Sequence, residues 1–200
     1  MQKTKVIAIP YFTGAGHTKK LAELVLEGIK SVSDIEVALI DVENLDDSSW
    51  KKIDRADAII FASPTYMGSV AGIFKSFMDE TGNFWIEQKW ADKIAAGITV
   101  GTSASGDKLN ALVQMCVFAA QHGMIWIGQN HVGSKHTNDG QKINEAGAWL
   151  GLTAQSDSNK SKLIVDHDIE TAKIFGRRVA KATLRWYKFN ENNGFDKTSC

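Results

Sequence analysis

The sequence predicts an α/β fold, a three-layer sandwich in which a parallel sheet lies between two layers of helices. Three observations carry this. Short apolar runs alternate with amphipathic stretches of helical period along the whole chain. The run Ala58-Ile59-Ile60-Phe61-Ala62 is apolar throughout, as a strand covered on both faces must be. The first strand passes into the first helix through a loop of glycine and hydroxyl residues, Thr13-Gly14-Ala15-Gly16-His17-Thr18. A helix start reached through such a loop is where α/β proteins hold anionic ligands.

The elements follow in order. Residues 5–11 read as the first strand, and roughly 18–31 as a helix with Leu21, Leu24, Val25 and Ile29. Ile35 to Ile40 alternates as a second strand. Asp47-Ser48-Ser49 can cap a short helix toward Ile53. After the strand at 58–62, Val70 to Asp79 is helical, with Ile73, Phe74, Phe77 and Met78 on one face. Ile94 to Val100 is an apolar strand, Lys108 to Gln121 a long apolar helix, and Met124 to Ile127 the last core strand. A final helix runs from about Asp168 to Lys188. One domain over 1–189 accounts for all of these, with a polar, disordered tail over 190–200. Residues 129–162 are polar and Gly-rich, too long for an ordinary connection, and are expected to be functional.

Composition narrows the function. Lys plus Arg equals Asp plus Glu at 23 each, so nothing in the charge favours nucleic acid or an anionic membrane. The two cysteines, Cys116 and Cys200, suggest neither a disulfide framework nor a metal site, and an iron–sulfur cluster would need a compact group of them. The chain opens directly on a strand, with no leader pattern and no apolar run near twenty residues, which points to the cytoplasm and against membrane insertion.

The 13–18 loop suits a phosphate monoester. Unpaired N–H groups at a helix start bind an anion, and Thr13 and Thr18 add hydroxyls; the loop has no Lys or Arg. A nucleotide-hydrolysing P-loop needs Gly-Lys-Ser/Thr, and here Gly16 is followed by His17 and Thr18. A dinucleotide fingerprint is matched by Gly14 and Gly16 but carries Lys19 where the third glycine belongs. Two more loops at the carboxyl ends of strands should join it: Ser63-Pro64-Thr65-Tyr66-Met67-Gly68-Ser69 and Thr102-Ser103-Ala104-Ser105-Gly106. Both allow close backbone approach, and Tyr66 and Met67 offer apolar bodies to a flat ring.

The pattern Thr13-x-x-Gly16-x-Thr18-x-x-x-Ala22-x-x-Val25 resembles the flavodoxin signature, which holds the terminal phosphate of FMN. Pro64-Thr65-x-x-Gly68, Asp79-x-Thr81-Gly82 and His122-Gly123-Met124, in series over residues 5–153, resemble the WrbA-type NAD(P)H:quinone oxidoreductases, a multimeric flavodoxin-like branch. The resemblance implies a flavodoxin-like fold with five strands in the order 2-1-3-4-5. It implies FMN on Thr13, Gly14, Ala15, Gly16, His17 and Thr18, on Pro64, Thr65, Tyr66, Met67 and Gly68, and on Thr102, Ser103, Ala104, Ser105 and Gly106. It implies a catalytic His122 beside the flavin and an aromatic Trp85 reaching a neighbouring subunit's site. NADH or NADPH would donate electrons, a quinone-like acceptor would take them, and the protein would be a dimer or tetramer. The chain departs from the family's best-known members at Tyr66, where they carry Arg, and in its short link 41–57. Two other readings stay open: a flavodoxin-type electron carrier, and an FMN-binding regulatory protein. His122 also fits a plain helix C-cap before Gly123.

Overall fold

A computed structural model describes residues 4–133, 142–159 and 161–193. In it, β1 (Lys5–Tyr11), β2 (Ile35–Asp41), β3 (Ala58–Tyr66), β5 (Ile94–Gly101) and β6 (Ile125–Trp126) form a sheet in the order β2-β1-β3-β5-β6, every neighbouring pair parallel. This is the expected order 2-1-3-4-5 by position. The sheet has seven strands rather than five, for two local reasons. First, Ser69–Val70 forms a short β4 antiparallel to the end of β3. Met67 (φ 48°) and Gly68 (φ 74°) turn the chain there with both central residues left-handed, the geometry that matches the twist of a two-residue hairpin. Second, the last sheet position is shared. Residues β6 pair with Ile94 and Ala95, and then β7 (Leu152–Gln155) pairs in parallel with Ile98 to Gly101. The polar segment 129–162 therefore contains a strand, which completes the sheet's edge beside the C-terminal half of β5.

Strand periodicity sorts the core into two layers. Ile7, Ile9, Ile60 and Ile98 face α1 (His17–Lys30) and α6 (Asp166–Asn193). Ala8, Ile59, Phe61 and Ala95 face the opposite way, toward α3 (Gly72–Glu80) and α5 (Lys108–Gln121). The short α2 (Asp47–Arg55) and α4 (Gly82–Ile86) complete this second layer, in which Trp50 stacks on Phe77 and Phe84. The first layer depends on two glycines. A Cβ on Gly28 would sit 2.0 Å from the Lys173 carbonyl oxygen, and one on Gly176 would sit 2.1 Å from that of Val25, so α1 and α6 touch backbone to backbone.

Element ends differ slightly from expectation. The cap of α2 is Asp46, whose Oδ1 accepts from the Ser49 N–H at 2.7 Å. Helix α3 opens at Gly72 because Ser69 and Val70 are used by β4. Helix α6 reaches Asn193, and the rest of the expected tail lies outside the described residues. No helix among the described residues is long and apolar enough to cross a membrane.

Candidate functional site

Strands β1, β3 and β5 all point their carboxyl ends at one edge of the molecule, which brings the three sequence-singled loops together. A cavity of about 120 Å³ lies between them. Its walls are Thr13, Gly14, Ala15, His17 and Thr18 from the first loop and Pro64, Thr65 and Tyr66 from the second. Val100, Gly101 and Thr102 form its floor. Ser156, which follows β7, closes one side. Met67 and Gly68 are in the hairpin beyond the cavity, and Ser103 to Gly106 continue the third loop past its floor.

The first loop is shaped for an anion. Gly16 caps α1 with φ 91° and supplies no side chain to the helix start. Thr13 Oγ1 accepts the Lys19 N–H at 3.3 Å. Thr18, 1% exposed, has a buried hydroxyl with no partner in the protein. A buried hydroxyl without a hydrogen bond is costly, so its natural complement is a ligand oxygen. A phosphate fits this donor set: a hydroxyl, helix N-terminal amides and no competing carboxylate. Ligand pockets usually measure roughly 300–1,000 Å³. At about 120 Å³ the cavity has the size of a head group rather than of a whole cofactor. Tyr66 is half exposed and folds over the loop, its hydroxyl 2.2 Å from where a Gly14 Cβ would stand.

The second and third loops are braced from behind. Ser63 Oγ accepts the Ala71 N–H at 2.9 Å, and Thr65 Oγ1 lies 2.7 Å from Thr99 Oγ1. Asn110 Nδ2 donates to the Gly68 carbonyl at 2.6 Å, tying the hairpin to α5. Gln155 Nε2 donates to the Thr102 carbonyl at 3.0 Å. Gln155 and Ser156 were not legible as site residues, because their strand was hidden in the polar insertion. The apolar–small run Leu152-Thr153-Ala154 before a Ser-Asp-Ser-Asn turn was the available signal.

His122 and Trp85 lie elsewhere in the chain. They share a groove of about 560 Å³ between α3–α4 and α5, with Met78, Val117 and Phe118. Neither lines the cavity formed by the three loops. His122 is the C-cap of α5 and is 1% exposed. Its ring lies 4.6 Å from that of Trp90 and 4.8 Å from that of Phe118. Burial pushes its pKa down to about 4, so it is neutral at pH 7. Its tautomer follows from its neighbours. Thr81 Oγ1 donates to the Met78 carbonyl at 2.7 Å, so toward His122 Nε2, at 2.9 Å, it must accept. His122 thus carries its proton on Nε2, and Nδ1 is a buried, unpartnered acceptor. Trp85 is 49% exposed, whereas Trp90 is wholly buried and belongs to the core.

Comparison with known proteins identifies the family and the fold. Residues 5–139 match the model of a family described as NADPH-dependent FMN reductase. The chain is 37% identical over 184 residues to flavodoxin FldP of Pseudomonas aeruginosa, covering 90% of this chain and 96% of that protein. It is 27% identical over 198 residues to an NAD(P)H dehydrogenase (quinone) of Syntrophus aciditrophicus, covering 87% and 95%. Among solved structures it is similar to a flavodoxin, WrbA-like protein from Agrobacterium tumefaciens, with TM-score 0.70, 35% identity and coverage of 90% and 98%. The fold is flavodoxin-like, the cofactors of such proteins are FMN and a nicotinamide donor, and the chain belongs to the NADPH-dependent FMN reductase family.

Proposed function

We propose that this protein is an FMN-dependent oxidoreductase that moves two electrons from NADH or NADPH to a quinone or similar planar acceptor. One observation carries the reading. The cavity takes only a head group, so the flat part of the cofactor lies along Tyr66–Gly68 and Thr102–Gly106, loops without a charged residue. An apolar planar partner can approach such a wall without desolvating a charge.

The residues divide the work. Thr13, Thr18 and the start of α1 hold the phosphate. Backbone amides and hydroxyls of 64–68 and 102–106 hold the polar edge of the ring and favour negative charge there. FMN, when bound, supplies the two-electron chemistry. His122 Nδ1, unpartnered in the protein, would accept a hydrogen bond from an N–H or O–H group, such as reduced flavin or a hydroquinone carries, rather than donate to a quinone carbonyl. Trp85, half exposed in an outward groove, reaches the site of a neighbouring copy, His122 lies buried at the base of that groove, and the working unit is a homo-oligomer. FMN-loaded protein should reduce a benzoquinone with NADH or NADPH. His122→Ala should leave FMN affinity unchanged and slow that turnover by roughly 10–100-fold. Normal quinone turnover by the variant would reduce His122 to a helix cap.

A carrier without turnover of its own is the second reading, favoured by the name of the 37% identical relative. It requires that nicotinamide leave the bound flavin oxidised.

A further inference from the structure

Behind the floor of the cavity lies a pair of buried opposite charges that the flavin reading does not use. Lys108, 3% exposed, is the first residue of α5, and Asp168, 3% exposed, lies in the first turn of α6. Both are held by β7. Lys108 Nζ donates to the Ala154 carbonyl at 3.0 Å, and Asp168 Oδ2 accepts the Gln155 N–H at 2.7 Å. The next links lead into the site, since Gln155 bonds Thr102 and Ser156 lines the cavity. The lysine stem also backs the floor directly. A Cβ on Gly101 would lie 3.4 Å from Lys108 Cγ and 4.0 Å from Thr65 Cβ.

Packing does not explain this choice. Lysine is rarely buried unless it has a partner, and an apolar side chain would fill the space without desolvating a charge. The ammonium is also placed at a helix N-terminus, where the helix's own partial positive charge disfavours a cation. Both features raise the positive potential under the loop 102–106. Screening by water is weak at such depth, so the field reaches the site. A ligand that becomes more negative during its reaction benefits from that field. Burial pushes the Lys108 pKa down and that of Asp168 up, and the charge of each opposes the shift of the other. His167, 3.7 Å from Asp168 Oδ1, and Glu145 also act on that carboxyl.

We propose that Lys108 and Asp168 set the reduction potential of FMN held on the adjacent loops, Lys108 raising it and Asp168 lowering it. Neither touches the cofactor; both act through the field across Gly101 and Thr102. The inference rests on the placement of FMN proposed above.

The test is an equilibrium reductive titration of the FMN-loaded protein with dithionite, against a dye of known potential. Dithionite supplies the two electrons and water the protons. Lys108→Met should lower the preference for reduced over oxidised flavin about tenfold, a fall of about 30 mV for a two-electron couple. Asp168→Asn, which keeps an oxygen for Gln155, should raise the preference. Lys108→Arg should leave it within twofold. Opposite shifts in the first two variants support the proposal, because damage to the loop would move both the same way. Potentials unchanged within twofold, or shifted in one direction, overturn it. If Lys108→Met fails to hold FMN, Asp168→Asn alone decides: a rise supports the proposal and no rise overturns it. Wild-type protein that binds no FMN would instead overturn the functional reading itself.

Discussion

Thr18 and His122 are two of the four described residues with a side-chain polar atom buried without a partner, and each makes a prediction of its own sign. Thr18→Val removes an unsatisfied hydroxyl at nearly constant shape. It should raise the stability of cofactor-free protein by about 1 kcal/mol and weaken FMN binding by about 1–3 kcal/mol, leaving riboflavin affinity unchanged. Calorimetric titration of the two flavins with wild type and variant checks this; an equal loss for riboflavin would remove the phosphate from that hydroxyl. His122 predicts a pH dependence. Its folded pKa, about 4, lies below the ordinary histidine value near 6.5, so the unfolded chain binds the extra proton first. The stability it confers is complete above about pH 6.5 and is lost as pH falls toward 4. Between pH 7 and 5 the loss should be about 2 kcal/mol. Urea midpoints at both pH values should fall less in His122→Asn than in wild type. Equal falls would place the titration elsewhere. His122 was legible from the His-Gly-Met run, but its tautomer was not, because that depends on Thr81, forty-one positions away.

At the scale of elements, the strands and helices with strong periodicity stand where the sequence puts them. Helix α5 spans Lys108–Gln121 as expected, and β3 is apolar because both its faces are covered. The misreadings fall where a tertiary partner overrides local pattern. Ser69–Val70 extends only because Thr65–Tyr66 is there to pair with. Leu152–Gln155 is a strand only because β6 stops early and leaves the edge of β5 open. The α1–α6 contact is a further case. Helix propensity alone says that Gly28→Ala and Gly176→Ala should each stabilise by about 1 kcal/mol. The carbonyls 2.0 and 2.1 Å from the added carbons say the reverse. Each substitution should destabilise by about 1–3 kcal/mol, as overpacking does, lowering Tm by several degrees. A rise in Tm by differential scanning calorimetry would show that the helices separate freely.

For the whole molecule, the outward side of α5 is the unusual surface. Leu109, Val113 and Val117, four residues apart, are exposed, and the two valines line one groove with Trp85. Trp85 and Ile86 stand at the surface, whereas Trp90, five positions after Trp85, is taken by the core. We expect a dimer or tetramer assembled over this face, and Val113→Glu with Val117→Lys should dissociate it. Light scattering that finds only a 21.9 kDa species in wild type at micromolar concentration would favour the carrier reading. The three loops of the site were legible because each follows an apolar strand at the same sheet edge. Their buried support, Lys108, Gln155 and Asp168, was not, because it depends on the inserted β7. The claim that joins site, face and family is electron transfer from nicotinamide through FMN. The most direct measurement is the visible spectrum of the FMN-loaded protein after anaerobic addition of NADH or NADPH. The account predicts that one of them bleaches the flavin in a two-electron step within minutes and that a benzoquinone restores the colour. A flavin that stays oxidised with both donors would contradict it.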